Sequence, residues 1–333
     1  MTAGRGSRRI RAFSATESCR SPRDDDAQAA TGGRRGYPAV GHGCGIVVRS
    51  PTGRCLVYDA GRLGAPGAAR RALAAVLWDQ GVRRIDSLVI SHADADHFNA
   101  VPELLERFAF GEIVVTEAFC GSPAAGVADL LARAAARGVP LRLVRAGESF
   151  ALDPLCRVRV LRDGAGAAAA ADNERSLVLA VEAAGRRLLL TGDLEGPALA
   201  AFVAAEPGAC DVLVAPHHGT RTSLPADIAR VTSPGLVLVS GVGGPSWPEV
   251  SAAYRAAAGA ATVLKTGGEG AIAVTLTAGK VDVSRYSAGR WRKLPALERR
   301  SPTVESALLQ HRSPTIVPDP LDRRSPTIVP RPL

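Results

Sequence analysis

The chain has 333 residues, 46% hydrophobic and 22% charged, the balance of a globular protein with a sizeable core, and no apolar run reaches the ~18 residues a membrane helix needs. Its net charge of +9 is not a nucleic-acid signature of the core. Residues 1–36 hold eight Arg against four acids, 290–333 hold nine Lys/Arg against four acids, and 37–289 hold 24 of each sign. The six cysteines (Cys19, Cys44, Cys55, Cys120, Cys156 and Cys210) form no C-x-x-C pair, which excludes a zinc ribbon or a redox motif and predicts buried free thiols.

Residues 1–36 are rich in Arg, Ser and Gly without periodicity, and read as a disordered basic segment with no secretory signal. A cytoplasmic location is the default expectation. From residue 37 the pattern alternates. "GIVVRS" and "RCLVYDAG" predict a strand pair across a "PTGR" turn, and "PGAARRALAAVLWDQG" predicts a helix with a Gly stop. "IDSLVIS" is a buried strand. "VPELLERFA" and "AAGVADLLARAAARG" read as helices around the strand "EIVVT". "RVRVL", "SLVLAVEA", "RRLLLTGD", "DVLVAPHHG", "GLVLVSG", "ATVLKTG" and "AIAVTLT" complete the strands, which predicts two sheets with helices outside. Residues 290–333 repeat "RRSPTV", "RSPTIVP" and "RRSPTIVP", an extended Ser-Pro tail that contains His311. Removing both ends is expected to leave the fold of 37–289 intact.

The chemistry concentrates at three strand ends. "SLVI" runs into "SHADADH", where His92, Asp94, Asp96 and His97 fall within six residues. Their alternation in a tight loop lets them diverge toward two neighbouring points, and neutral imidazoles with ionised carboxylates suit divalent metals. A capping Asp would explain one of these residues and not four. "LLLTGD" ends in Asp193 and "VLVAPHHG" in His217 and His218.

This ordered set resembles the metallo-β-lactamase superfamily. More narrowly, it is similar to the C-terminal metallo-hydrolase domain of the ComEC family of DNA-uptake proteins, over about residues 39–285. "VGHGCGIVVRSPTGRCLVYDAG", "SHADADH", "NERSLVLAVEAAGRRLLLTGD" and "APHHGTRTS" carry the likeness. The resemblance implies a four-layer αββα sandwich holding two divalent ions, Zn or Mn. His92 and Asp94 would take one ion with help from His217 or His218, His217 being favoured as the first off its strand. Asp96 and His97 would take the other, Asp193 would bridge, and Asp96, Asp193 and His218 would serve the chemistry. Asn173 and Ser176 would lie near the metals, and Asp59 would orient the histidine loop. His42, between two glycines, is a candidate to line the site, against the plainer reading of a turn histidine.

The sequence departs from the family pattern in three ways. "GGPSWPEV" carries no histidine, "GGRRGYPAV" stands where a strand is expected before "VGHG", and no membrane channel is present. The implied activity is hydrolysis of a phosphodiester, with single-stranded DNA as the implied partner. A lactone or thioester hydrolase, or a catalytically silent remnant, are the alternatives.

Overall fold

The computed structural model describes residues 9–14, 43–165, 171–241, 243–259, 261–267, 270–287 and 290–295. Its strands fall in blocks along the chain. The first sheet receives β1 (Arg9–Ser14), β2 (Gly45–Arg49), β3 (Cys55–Ala60), β4 (Arg84–Val89), β5 (Ala109–Val115) and β6 (Leu141–Leu143). The second receives β7 (Ser149–Asp153), β8 (Cys156–Arg162), β9 (Val178–Ala183), β10 (Arg186–Leu190), β11 (Val212–Val214), β12 (Leu236–Val239) and β13 (Thr262–Lys265). The chain then returns to the first sheet with β14 (Ile272–Thr277), β15 (Val281–Ser287) and β16 (Arg290–Lys293). The resulting orders are β16-β15-β14-β1-β2-β3-β4-β5-β6 and β13-β12-β11-β10-β9-β8-β7.

Side-chain alternation sorts these strands into layers. Ile46, Leu56 and Tyr58 of the first sheet meet Leu179, Leu188 and Val212 of the second in one apolar cluster between the sheets. The opposite face of the first sheet, with Val47, Val57 and Leu88, packs under α1 (Gly67–Asp79), α3 (Val101–Leu105) and α5 (Val127–Ala136). The opposite face of the second sheet, with Ala180, Leu189 and Val237, packs under α6 (Gly196–Ala204), α7 (Pro225–Thr232) and α8 (Trp247–Ala257). Two one-turn helices, α2 (Ala95–Phe98) and α4 (Glu117–Cys120), follow the ends of β4 and β5. The architecture is the expected four-layer αββα sandwich. Cys44, Cys55, Cys156 and Cys210 are buried free thiols and Cys120 is a partly exposed one, while Cys19 lies outside the described residues.

The ends of the domain correct the expectation. The segment 1–36 is not uniformly unstructured, because Arg9–Ser14 forms a strand. It pairs antiparallel with β14 over six residues and with β2 over four. Ile10 and Ala12 point into the inter-sheet core, and Phe13 points to the other side against Trp291, with ring centroids 5.9 Å apart. This is the strand missing from "GGRRGYPAV". Two arginines in a six-residue run concealed its period, and its partners lie far along the chain. At the other end β16 begins at Arg290, past the expected boundary at 289, and pairs with β15. The Ser-Pro repeats and His311 lie outside the described residues.

Candidate metal centre

The first sheet delivers its chemistry through β4. After Val89 the chain continues through Ile90, Ser91 and His92, and a tight turn leads into α2 with Asp96 and His97 in its single turn. Gly61, after β3, is what lets that loop pack down. A Cβ on Gly61 would stand 2.5–2.7 Å from the backbone of Asp96 and His97. The second sheet delivers Asp193 through the turn after β10. Gly192 there has φ +56°, and a Cβ on it would press on Ser91, Ser176 and Tyr58 at 3.0–3.1 Å. Past β11, His217 (φ 45°) and His218 (φ 53°) both adopt left-handed backbone, a strained pair of the kind that clusters at functional sites.

The three elements converge. His97 Nε2 lies 3.3 Å from Asp193 Oδ2, and His218 Nε2 lies 3.1 Å from the same oxygen and 3.8 Å from Asp96 Oδ2. His92 Nε2 lies 3.5 Å from Asp94 Oδ2, and the His92 and His97 rings are 4.1 Å apart. Candidate ligand atoms of His92, His97 and Asp193 fall within 4.8 Å of one another, and so do those of Asp96, His97 and His218. Asp94 sits at the open side, its side chain 44% exposed.

Each of these three imidazoles is held from behind at Nδ1. His97 Nδ1 is 2.8 Å from Asp59 Oδ2. His218 Nδ1 donates to the Ser240 carbonyl at 2.9 Å. His92 Nδ1 meets the hydroxyls of Ser91 at 2.9 Å and Ser176 at 3.4 Å. Ser91 in turn donates both its backbone N–H, at 2.7 Å, and its hydroxyl, at 2.8 Å, to Asp59. Asp59, fully buried, therefore makes three contacts to this loop, two with Ser91 and one with His97. With the Nδ1 sides engaged, the Nε2 atoms turn toward the carboxylates. His92 Nε2 and His97 Nε2 are buried without a hydrogen-bond partner. An orphaned buried nitrogen is costly unless something completes it, and imidazoles fixed at Nδ1 are how proteins present Nε2 to a metal. The donor set of nitrogens and carboxylate oxygens fits a divalent ion.

Charge in the cluster is already polarised. Burial alone would raise the Asp193 carboxyl, but His97 and His218 outweigh it and hold it well below the usual carboxylate range. Burial opposes charge on His97, yet Asp193 and Asp59 lift it well above the usual imidazole value. For His218, burial is likewise outweighed, by Asp193 and then Asp96, and its pKa rises to about 9. The carboxylates of this cluster therefore favour positive charge on the imidazoles that face them.

Of the twin histidines, His218 lies in the cluster and His217 outside it. His217, favoured from its place on the strand, belongs to none of the candidate ligand groups. Its Nδ1 lies 2.6 Å from Glu195 Oε2, and its side chain is 26% exposed. The left-handed turn swings His217 outward and His218 inward. His218 also groups with Asp96 and His97, not with His92 and Asp94. Ser176, fully buried, touches His92 and accepts the Asp193 N–H at 3.1 Å. Asn173 donates to Glu195 Oε1 at 2.7 Å. His42 lies outside the described residues. Sequence reasoning missed Glu195, Ser91 and Ser240. Glu195 and Ser91 stand within two residues of quoted motif residues, which was a usable signal, whereas Ser240 acts through its carbonyl and leaves none. It also missed that Cys44 comes within 4.8 Å of Asp59 and His97 ligand atoms. Burial, and then Asp59, Asp193 and Asp96, push the Cys44 thiol well above its ordinary pKa, so it sits there as a neutral group.

Among the described residues no helix is long and apolar enough to cross a membrane. The model of the metallo-beta-lactamase superfamily matches residues 38–241. "Competence protein ComA" of Neisseria gonorrhoeae is 29% identical over 267 residues, 77% of this chain and 34% of that protein. "ComE operon protein 3" of Bacillus subtilis (strain 168) is 29% identical over 171 residues, 51% of this chain and 22% of that protein. The chain thus spans about a third or less of the curated relatives it matches. Among solved structures, CmlA, a diiron β-hydroxylase from Streptomyces venezuelae, is similar at 18% identity with a TM-score of 0.45, covering 72% of this chain and 53% of that one. With a family match over most of the domain, an αββα sandwich and a strand-end His/Asp cluster, the chain belongs to the metallo-β-lactamase superfamily.

Proposed function

We propose that this chain is a binuclear metal-dependent phosphodiesterase acting on DNA, with two divalent ions, Zn or Mn, at the strand-end cluster. The observation that carries the reading is the convergence of buried His92 Nε2 and His97 Nε2, neither of them hydrogen-bonded, on the carboxylates of Asp94 and Asp193. Asp96, His97 and His218 would hold one ion, His92 and Asp94 the other, and Asp193 would lie between them. When bound, such a pair supplies Lewis acidity and water whose pKa falls toward ~7.

The chain's own residues do the rest. Asp59, Ser91 and the Ser240 carbonyl engage Nδ1 of each imidazole, so that Nε2 would be the atom left to hold an ion. Asp96 and Asp193 accept hydrogen bonds from the attacking water and orient it. His217, held by Glu195 at 2.6 Å, would give a proton to a departing oxygen. The choice of DNA rests on the likeness to two competence proteins.

The test is turnover of bis(p-nitrophenyl) phosphate and of labelled single-stranded DNA by the Mn- or Zn-loaded chain, beside lactone and thioester panels. Phosphodiester cleavage that falls at least ~100-fold in Asp193→Asn is expected. Lactone or thioester turnover with intact phosphodiesters would replace this reading.

A further inference from the structure

A cleft of about 620 Å³ lies where β5, β6 and β8 end and beside Arg175. Thr116 and Glu117 after β5, Val144 and Arg145 after β6, Asp163 after β8, and Arg175 line it. Its closeness to the centre follows from register. Val89 faces Val114, and the Ile90 N–H bonds the Val114 carbonyl at 3.1 Å. Thr116 thus follows β5 on the neighbouring strand to β4, from which Ser91 and His92 follow. On the other wall, Arg175 immediately precedes Ser176, whose hydroxyl is 3.4 Å from His92 Nδ1.

We infer that this cleft seats one unpaired nucleobase of the substrate strand, beside the phosphodiester to be cut. The inference rests on the phosphodiesterase reading and adds the substrate feature that the site selects. The volume suits a single planar group of drug-like dimensions, exceeds what a lone phosphate fills, and cannot take a duplex. Two arginines and two carboxylates line it: Arg145 lies 2.5 Å from Glu117, Asp163 accepts the Ala146 and Ala165 N–H groups, and Arg175 lies 3.6 Å from Asp172. The wall is formally neutral, so it does not select a bare anion. A nucleobase edge carries donors and acceptors side by side. Carboxylates accept from its amino groups, and guanidinium groups donate to its ring nitrogens and carbonyls or stack on its face.

The Arg145–Glu117 pair is exposed at 69% and 66%, and an ion pair so exposed is weak and easily exchanged for a ligand. A base can enter only if it is free of a partner strand. The cleft thereby gives a physical reason for single-strand preference that needs no basic groove, in agreement with the neutral core.

The experiment measures fluorescence anisotropy on the full chain in chelator, so that no turnover occurs. One probe is a labelled six-nucleotide single strand, the other an abasic strand of the same length and charge. The base-bearing strand is expected to bind about tenfold tighter. Ala165→Trp, which fills the cleft from an exposed position, and Arg175→Met should each reduce that advantage to twofold or less. Equal binding of the two strands by the unaltered chain, binding of neither, or variants that keep the advantage would overturn the inference. Bis(p-nitrophenyl) phosphate, which has no base, is the separate readout with metal. Its turnover should survive in both variants, and a variant that loses it would show the catalytic centre disturbed and overturn the assignment of a separate base site. Failure of the unaltered chain to cleave it would sink the phosphodiesterase reading itself, whatever the binding comparison gives.

Discussion

Phe13→Ala should cost far more than its place near the chain's start suggests. The ring is 3% exposed and packs edge-on against Trp291, and β1 lies between β2 and β14 in the middle of the nine-stranded sheet. Truncating a buried Phe costs about 3–5 kcal/mol. At ~2–4 °C per kcal/mol for a domain of roughly this size, the unfolding midpoint should drop about 6–20 °C. Deleting residues 1–36 goes further. It removes the six pairings to β14 and the four to β2, takes Ile10 and Phe13 out of two cores, and opens two strand edges in mid-sheet. That fragment should aggregate or fail to melt cooperatively. Thermal unfolding by circular dichroism compares full length, the deletion and Phe13→Ala, with Arg9→Ala at an exposed β1 position as a control that should stay within ~0.5 kcal/mol. A deletion that melts within about 2 °C of full length would refute the placement of this strand.

His218→Ala should abolish binding of at least one ion, while His217→Ala should keep full metal content and lose turnover; isothermal titration with Mn²⁺ beside an activity assay checks both. Asp59→Asn, which removes the carboxylate behind His97 and Ser91, should weaken metal binding by about 10–100-fold with the fold intact, measured by competition with a chelating dye. The metal-free chain should lose stability as pH rises. Burial opposes charge on His218, yet Asp193 and Asp96 raise it to about 9, so its contribution is complete below its unfolded value of ~6.5 and fades as pH passes about 9. Asp193 is depressed, so its contribution is complete above the unfolded ~4 and is lost as pH falls further. The metal-free midpoint should therefore peak between about pH 4 and 6.5, and loading with metal should remove the decline on the alkaline side, because the cation replaces the protons.

The site was more legible in the sequence than the domain's edges, for physical reasons. His92, Asp96, His97 and Asp193 stand at strand ends, where a buried apolar run stops and polar groups begin, so local pattern points straight at them. The order of His217 and His218 was not legible, because it depends on two left-handed residues that rotate one ring outward. Glu195 is held by Asn173 and Thr222, from segments far apart in the chain, and such partners leave no local period. The αββα layering could be read from strand runs between amphipathic helices. β1 and β16 could not, since "RIRAFS" and "RWRK" are short, rich in charge and paired with distant or neighbouring strands that alone reveal their alternation.

Two divalent ions at the strand-end cluster would set the chemistry of this chain. Elemental analysis of the full chain after gentle purification, before and after supplementation with Zn²⁺ or Mn²⁺, tests their presence most directly. About two divalent ions per chain are expected, the capacity of two ligand sets sharing Asp193. In Asp193→Asn, where both sets lose their shared carboxylate, the number should fall below one. A chain that stays metal-free under supplementation, or that holds two ions regardless of Asp193, would contradict the account.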